Sequence, residues 1–354
     1  MRTSPKLHNF KPMYGRIETE GQKLPRHRPV ADCIAALDLG TNNCRLLVAQ
    51  EIAGELRIVD RFSRIVRLGE GVGHAGELTE TAIRRTMQAL RVCAHIMARH
   101  RVRLARCVAT EACRSARNSD RFIERVRSAI GIDLEVLDHE DEAALALLGC
   151  LPLIAEPTRQ IMLVDIGGGS TEVVLADLSG TKPEILSLSV PRGVVELSER
   201  MGADPSEDRY QAMVESTAAA LASHPDFERM VQRYRGDDKL TVIGCSGTVT
   251  TLAAMHLGLR RYDRRQVDGV WLDEDQMRRA SAMIRSMGHE ARRAHPCIGR
   301  DRADLVVAGC AIFEGVQRHW PAKRLRVADR GIREGILAEL TGHSLERELR
   351  RRHH

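Results

Sequence analysis

Aromatic side chains are scarce in this sequence, at 3% of 354 residues. That weighs against a single-stranded nucleic-acid ligand, because proteins that bind one stack its bases on aromatic rings. No apolar run approaches the ~18–20 residues that a membrane-spanning helix needs. Residues 1–30 carry seven Lys or Arg and four Pro but no hydrophobic stretch of the signal-peptide kind. The reading is a cytoplasmic protein with no membrane partner and a mobile basic arm at 1–30. The nine cysteines (Cys33, Cys44, Cys93, Cys107, Cys113, Cys150, Cys245, Cys297 and Cys310) contain no Cys-x-x-Cys pair. An odd, scattered set reads as buried small hydrophobes and not as a disulfide framework or a zinc site. A low-complexity linker is also lacking, so two domains would join through short ordered crossings able to act as a hinge.

What is present begins with length and charge. The chain is long enough for two domains, and 43% hydrophobic with 29% charged residues is ordinary for a globular protein. The formal net charge of +6 comes with arginines gathered at Arg99, Arg101, Arg103, Arg106, Arg114 and Arg117, and again at Arg260, Arg261, Arg264 and Arg265. Such an excess suits an acidic substrate or a polyanion, although most charge runs form solvated faces.

The most informative stretch is 163–176, LVDIGGGSTEVVLA. Two apolar, β-branched runs flank a glycine-rich break, which reads as strand, turn, strand. Gly167, Gly168 and Gly169 let successive backbone N–H groups line a concavity that fits an anion. Asp165 and Glu172 stand at its two rims. Residues 38–49, DLGTNNCRLLVA, copy this unit at an offset of 127 residues, Asp over Asp and Gly over Gly. A repeat at that spacing predicts two related halves, each offering a glycine-containing hairpin turn to a common cleft.

Around these hairpins the pattern is mixed α/β. Helices are predicted at 79–100 with Thr79 as N-cap, 118–130 ended by Gly131, 194–201, 206–223, 301–320 and 331–340. Strands are predicted at 106–110, 134–138, 185–190 and 325–329. His139–Leu148 begins with three acids, which suits a helix N-terminus whatever else they do. LTVIGCSGT at 240–248 runs from strand to helix through small residues, which fits an anion site or a tight packing turn equally well. The tail from 346 reads as a basic fray.

In this order and spacing the segments DLGTNN (38–43), ATEACRSA (109–116), EDEA (140–143), VDIGGGSTE (164–172), GCSGT (244–248), RAD (302–304) and DRGIREG (329–335) closely resemble the exopolyphosphatase and guanosine pentaphosphate phosphohydrolase family. That family lies within the actin, sugar kinase and Hsp70 ATPase superfamily, and this chain looks like a short-form member. The resemblance implies an α/β fold of two ribonuclease-H-like domains with mixed sheets and an active site in the cleft between them. Domain I would be 31–150 with the helix at about 330–345, and domain II 151–329. It implies an exopolyphosphatase that releases orthophosphate from inorganic polyphosphate, or alternatively a guanosine pentaphosphate phosphohydrolase. A non-catalytic sensor is a more distant reading. Oligomeric state is left open, a homodimer included.

Hydrolysis of a phosphoanhydride needs donors for charged oxygens, a cation to offset charge, and a base that aligns water. By the resemblance, Glu142 is the catalytic base, and Asp165 with Glu172 holds Mg²⁺ or another divalent cation. The family's phosphate-holding arginine falls on Arg114. Backbone N–H groups and hydroxyls of Gly40, Thr41, Asn42 and Asn43, of Gly167, Gly168, Gly169, Ser170 and Thr171, and of Ser246, Gly247 and Thr248 would cradle phosphates. Ala144 departs from the arginine common in the family two residues after the base. Thr41 and Asn43 stand where serine is common.

Overall fold

Two mixed sheets are laid out on one plan in the computed structural model, which describes residues 8–9, 33–52, 55–155, 158–180, 182–236 and 238–353. The arm expected at 1–30 lies, apart from His8 and Asn9, outside the described residues. The strands are β1 (His8–Asn9), β2 (Cys33–Leu39), β3 (Asn43–Ile52), β4 (Glu55–Ile65), β5 (Val102–Ala109) and β6 (Glu135–Val136) in the first sheet. In the second they are β7 (Gln160–Ile166), β8 (Thr171–Asp177), β9 (Glu184–Val190), β10 (Leu240–Cys245), β11 (Trp271–Asp273) and β12 (Arg324–Ala328). The orders are β1-β5-β2-β3-β4, with β6 beside β5, and β11-β12-β10-β7-β8-β9.

Each sheet holds an antiparallel meander, β2-β3-β4 or β7-β8-β9. A parallel strand, β5 or β10, joins it on the far side. The turns also match: Gly40 N donates to Asn43 O at 2.9 Å, and Gly167 N to Ser170 O at 2.9 Å. The sequence repeat is thus a structural one, with the same hairpin in both sheets. One difference matters below. Asp38 faces Arg45 across the first hairpin, and Asp165 faces Glu172 across the second.

The chain forms two compact units. The first runs to Leu137 and takes in Glu339–Thr341; the second comprises Asp138–Ala338 and Gly342–His354. In the first, helix Glu80–Arg99 follows the predicted 3.6-residue stripe, burying Ile83, Met87, Leu90 and Met97 against Leu37, Leu46 and Val48 of the sheet. Thr79 caps it by accepting from Ala82 N. In the second, strand alternation divides the core. Met162, Val164, Val173 and Leu175 pack with residues of helices Glu207–Ala222, Gly247–His256 and Val306–His319. Ile161, Leu163, Val174 and Ala176 pack on the opposite face with those of helix His139–Cys150.

Three sequence expectations change here. Helix His139–Cys150, drawn into domain I, belongs to the second unit and packs on β8, β9 and β10, because its alanines and leucines are buried around most of its circumference. The helix expected from 301 starts at Val306, after turns that Gly299 opens with a φ of 74°. The tail is not a fray but helix Leu345–His353. Its Leu345 and Leu349 are buried in the core that also holds Leu147 and Leu148. Its Arg352 donates to the carbonyls of Leu151 and Ile154 at 3.0 Å each, just past the end of helix His139–Cys150.

The DRGIREG segment carries an ion-pair network. Arg264 donates to Glu334 at 2.8 Å, Gly331 N donates to the same carboxylate at 3.0 Å, and the Tyr262 hydroxyl donates to Asp329 at 2.8 Å. Burial alone would push the Glu334 carboxyl up. The charges of Arg333 and Arg264, with the hydrogen bonds from Arg264 and Gly331, overcome this and hold it below its ordinary value. A depressed folded-state pKa contributes stability that is present above the unfolded value, about 4.3, and is lost as pH falls through the folded one. Urea unfolding should therefore show wild-type stability falling more steeply on acidification below about pH 4.3 than that of Glu334→Gln. Parallel curves would remove this contribution.

Candidate active site

The second hairpin sets the positions of Asp165 and Glu172. Because Asp165 and Glu172 are direct cross-strand partners, their side chains leave the same face of the sheet. That is the face covered by helix His139–Cys150. Glu172 is only 3% exposed. Its Oε1 accepts from the Ser170 hydroxyl at 2.6 Å and from the Ser189 hydroxyl of β9 at 2.8 Å, which fixes the carboxylate's orientation.

The helix above starts with Asp138 as N-cap, accepting from Asp141 N at 2.8 Å. This cap places His139 on the first turn and Glu142 one turn further in, where it is 7% exposed. His139, Glu142 and Glu172 each present a ligand atom within 4.8 Å of the others. Two buried carboxylates so close are costly without compensating positive charge, and hard carboxylate oxygens are the donors a divalent cation takes. These residues fit a cation. Asp165 is not in that triad. It lies beside the buried Cys245 thiol, which its hydrogen bond to Cys150, its burial and the Asp165 charge hold well above the ordinary thiol range.

The glycine loop is shaped by the helix that follows β9. Val194 N donates to Gly167 O at 3.1 Å and Val195 N to Gly168 O at 2.9 Å. In a trans peptide the N–H points opposite to the C=O, so the N–H groups of Gly168 and Gly169 are directed away from this helix as an anion-binding pair. Gly193 makes the approach possible. A Cβ there would stand 2.3 Å from the carbonyl carbon of Gly168 and 2.4 Å from the nitrogen of Gly169. Its φ of −124° is open to any residue, so the constraint is purely one of space. Gly193→Ala should displace the loop and lower kcat/KM for phosphate release tenfold or more, by the cost of misplacing a substrate-positioning group. Steady-state kinetics test this, and unaltered kinetics would mean that the loop does not hold substrate.

Hydroxyls expected to reach phosphate are partly committed elsewhere. Ser170 donates to Glu172, and the fully buried Thr171 donates to Arg192 O at 2.6 Å. Ser246 caps helix Gly247–His256, accepting from Val249 N at 3.1 Å. Thr248 is buried where a Cβ on Gly309 would stand 2.1 Å from its hydroxyl oxygen. Arg302 lies beside this helix start, near Gly247, and donates to the Thr251 hydroxyl at 3.2 Å.

In the first unit, Thr41 and Asn42 are buried and Asn43 half-buried, and their backbone is locked. The carbonyl of Thr41 accepts from Gly69 N, that of Asn42 from Val66 N and Arg67 N, and that of Asn43 from Gly40 N. The Asn42 side-chain oxygen is buried with no hydrogen-bond partner. Arg114, on helix Glu111–Ser115, donates to Glu111 Oε2 at 3.0 and 3.2 Å and to Leu137 O at 2.8 Å.

Sequence reasoning brought Glu142 and Glu172 to one place. It passed over His139, although that residue adjoins the acidic run. Ser189 and Gly193 gave no signal, because each acts through a partner distant in the chain.

Comparisons with known proteins accord with this geometry. The Ppx/GppA phosphatase family profile matches residues 47–343. Exopolyphosphatase 2 of Mycobacterium tuberculosis is 31% identical over 323 residues, spanning 87% of this chain and 98% of its own. The crystal structure of an Aquifex aeolicus member of the Ppx/GppA family superposes with a TM-score of 0.71 at 31% identity, covering 88% of this chain and 99% of that one. An exopolyphosphatase from Cytophaga hutchinsonii gives a TM-score of 0.79 at 26% identity, over 89% and 99% of the two chains.

Proposed function

The chain belongs to the Ppx/GppA phosphatase family, and from that membership we propose that it hydrolyses terminal phosphoanhydride bonds of inorganic polyphosphate, releasing orthophosphate. The observation that carries this is the buried Glu142 set against Glu172 on the sheet face that also holds Asp165. A base in such surroundings can orient and deprotonate an attacking water.

Glu142 takes the proton from water as it attacks the terminal phosphorus. Peptide N–H groups of Gly168 and Gly169 hold the phosphoryl oxygens, whose charge spreads in the transition state. Ser170 and Ser189 keep Glu172 in place through their hydrogen bonds. A divalent cation, Mg²⁺ by the resemblance, held by Glu172 with Asp165, would offset charge on the phosphoryl oxygens. Arg114 and the turn from Gly40 to Asn43 are proposed as further phosphate-binding groups. The arginine excess suits a long polyanion.

No helix among the described residues is long and apolar enough to cross a membrane. The nine cysteines are all buried thiols, which supports work in a reducing compartment such as the cytoplasm.

Phosphate release from long polyphosphate, short polyphosphate, guanosine pentaphosphate and ATP, with and without Mg²⁺, is the test. The expected result is fastest release from polyphosphate, dependent on the cation. Release from guanosine pentaphosphate alone would transfer the assignment to that substrate, and release from none would remove the enzymatic reading.

A further inference from the structure

We propose that His139 is a third protein ligand of the cation, so that the site presents one imidazole and two carboxylates and favours nitrogen-accepting first-row metals over Mg²⁺. This rests on the cation-assisted reading above and adds the identity of a ligand and its consequence for metal choice.

Two ligand atoms bound to one cation at about 2.1 Å each stand no more than about 4.2 Å apart. His139 Nδ1 lies 4.0 Å from Glu172 Oε1, within that limit. Glu142, the base of the reading above, stands in the same group, with ligand atoms of all three residues within 4.8 Å of one another. The burial is graded: the two glutamates close the inner side, and the His139 side chain is 48% exposed at the outer side. A cation entering from solvent therefore meets the imidazole first and the carboxylates beyond it.

The repeat supplies an independent argument. In the first hairpin the residue facing Asp38 is Arg45, which carries its own positive charge. At the matching position of the second hairpin stands Glu172, facing Asp165, with Glu142 near by. The same frame places a guanidinium in one copy and gathers acids in the other, a donor set that suits a cation. Imidazole nitrogen is a ligand of choice for Co²⁺, Zn²⁺ and their neighbours, whereas Mg²⁺ prefers oxygen and keeps its waters. Removing an imidazole should therefore cost the first-row metal much more than Mg²⁺.

The test uses the full chain and Co²⁺ as the probe. Calorimetric titration of wild type should show tighter binding of Co²⁺ than of Mg²⁺. His139→Ala should weaken Co²⁺ by about tenfold or more and Mg²⁺ by less than about threefold, with an unchanged far-ultraviolet circular dichroism spectrum. Proton NMR of the Co²⁺ form should show strongly shifted imidazole ring signals that His139→Ala abolishes. If His139 merely pairs with Glu172, the variant leaves Co²⁺ affinity unaltered and no shifted ring signals depend on it, and the proposal falls. Phosphate release in Mg²⁺ is measured alongside. Release without a shifted imidazole overturns this ligand and leaves the hydrolase reading intact, whereas a shifted imidazole without release supports the ligand and removes the substrate reading.

Discussion

Glu142→Gln should lower kcat for phosphate release by about 10²–10⁴-fold, the range general-base catalysis contributes, with KM changed only a few-fold. The substitution keeps the size and hydrogen-bonding reach of the side chain but removes its basicity. The helix start is preserved, because the cap is Asp138 and the N–H of residue 142 donates to the Asp138 carbonyl whatever its side chain. A loss confined to kcat means an interaction made in the transition state and not in the ground state. Excess Mg²⁺ discriminates between roles for this residue. If Glu142 serves only to hold the cation, high Mg²⁺ restores the rate; if it takes the proton from water, it does not. Full activity in the variant, or full rescue by Mg²⁺, would end the assignment of Glu142 as the base.

Arg292→Ala should destabilise the protein by about 2–4 kcal/mol, the size expected when several polar groups lose their donors inside a fold. Arg292 is 1% exposed and lies on the short helix His289–Ala294. Its guanidinium donates to the carbonyls of Ala303 at 3.2 Å, Met287 at 2.5 Å and Ala203 at 2.6 Å, and to the carboxylate of Asp204. One side chain thus ties together three segments that have no shared sheet or helix. Asp204 is itself 53% exposed, so its part in the cost is small and the carbonyls dominate. Arg292→Met, which keeps the apolar stem, should recover only a fraction of the loss, and Arg292→Lys cannot reproduce the planar fork. Urea denaturation followed by circular dichroism measures all three. A loss below about 1 kcal/mol for alanine would mean that water satisfies the carbonyls.

These two residues mark the extremes of what could be read in advance. Glu142 was legible as a candidate because it lies in a local segment, an acidic first turn followed by an apolar helix, and because EDEA resembles a known family. Arg292 was not. In the sequence it is one of many arginines, and an arginine count points to a polyanion as readily as to a buried clamp. Its role depends on Ala203 and Ala303 arriving beside it, about ninety residues before it and about ten after it in the chain.

The hairpins follow the same division. DLGTNN and DIGGGSTE each specify a strand, a glycine turn and a strand, since alternation and glycine act within a few residues, and both hairpins form. The pairing of Asp165 with Glu172 followed from this local register. What lay over them did not. The resemblance puts helix His139–Cys150 in the first domain, whereas the packing of its buried alanines and leucines on β8, β9 and β10 places it in the second unit. The basic tail misled in a related way: its charges are visible one by one, whereas the burial of Leu345 and Leu349 requires a partner helix to exist.

The sequence by itself therefore determined the repeated hairpins, the mixed α/β character and the family to which the chain belongs, all properties encoded over short stretches. Tertiary structure alone decided that His139 stands 4.0 Å from Glu172, that Gly193 must lack a side chain for the glycine loop to sit where it does, and that Ser189 of β9 helps to orient the Glu172 carboxylate. Each of these is a distance between atoms far apart in the chain, and packing, not local propensity, sets such distances.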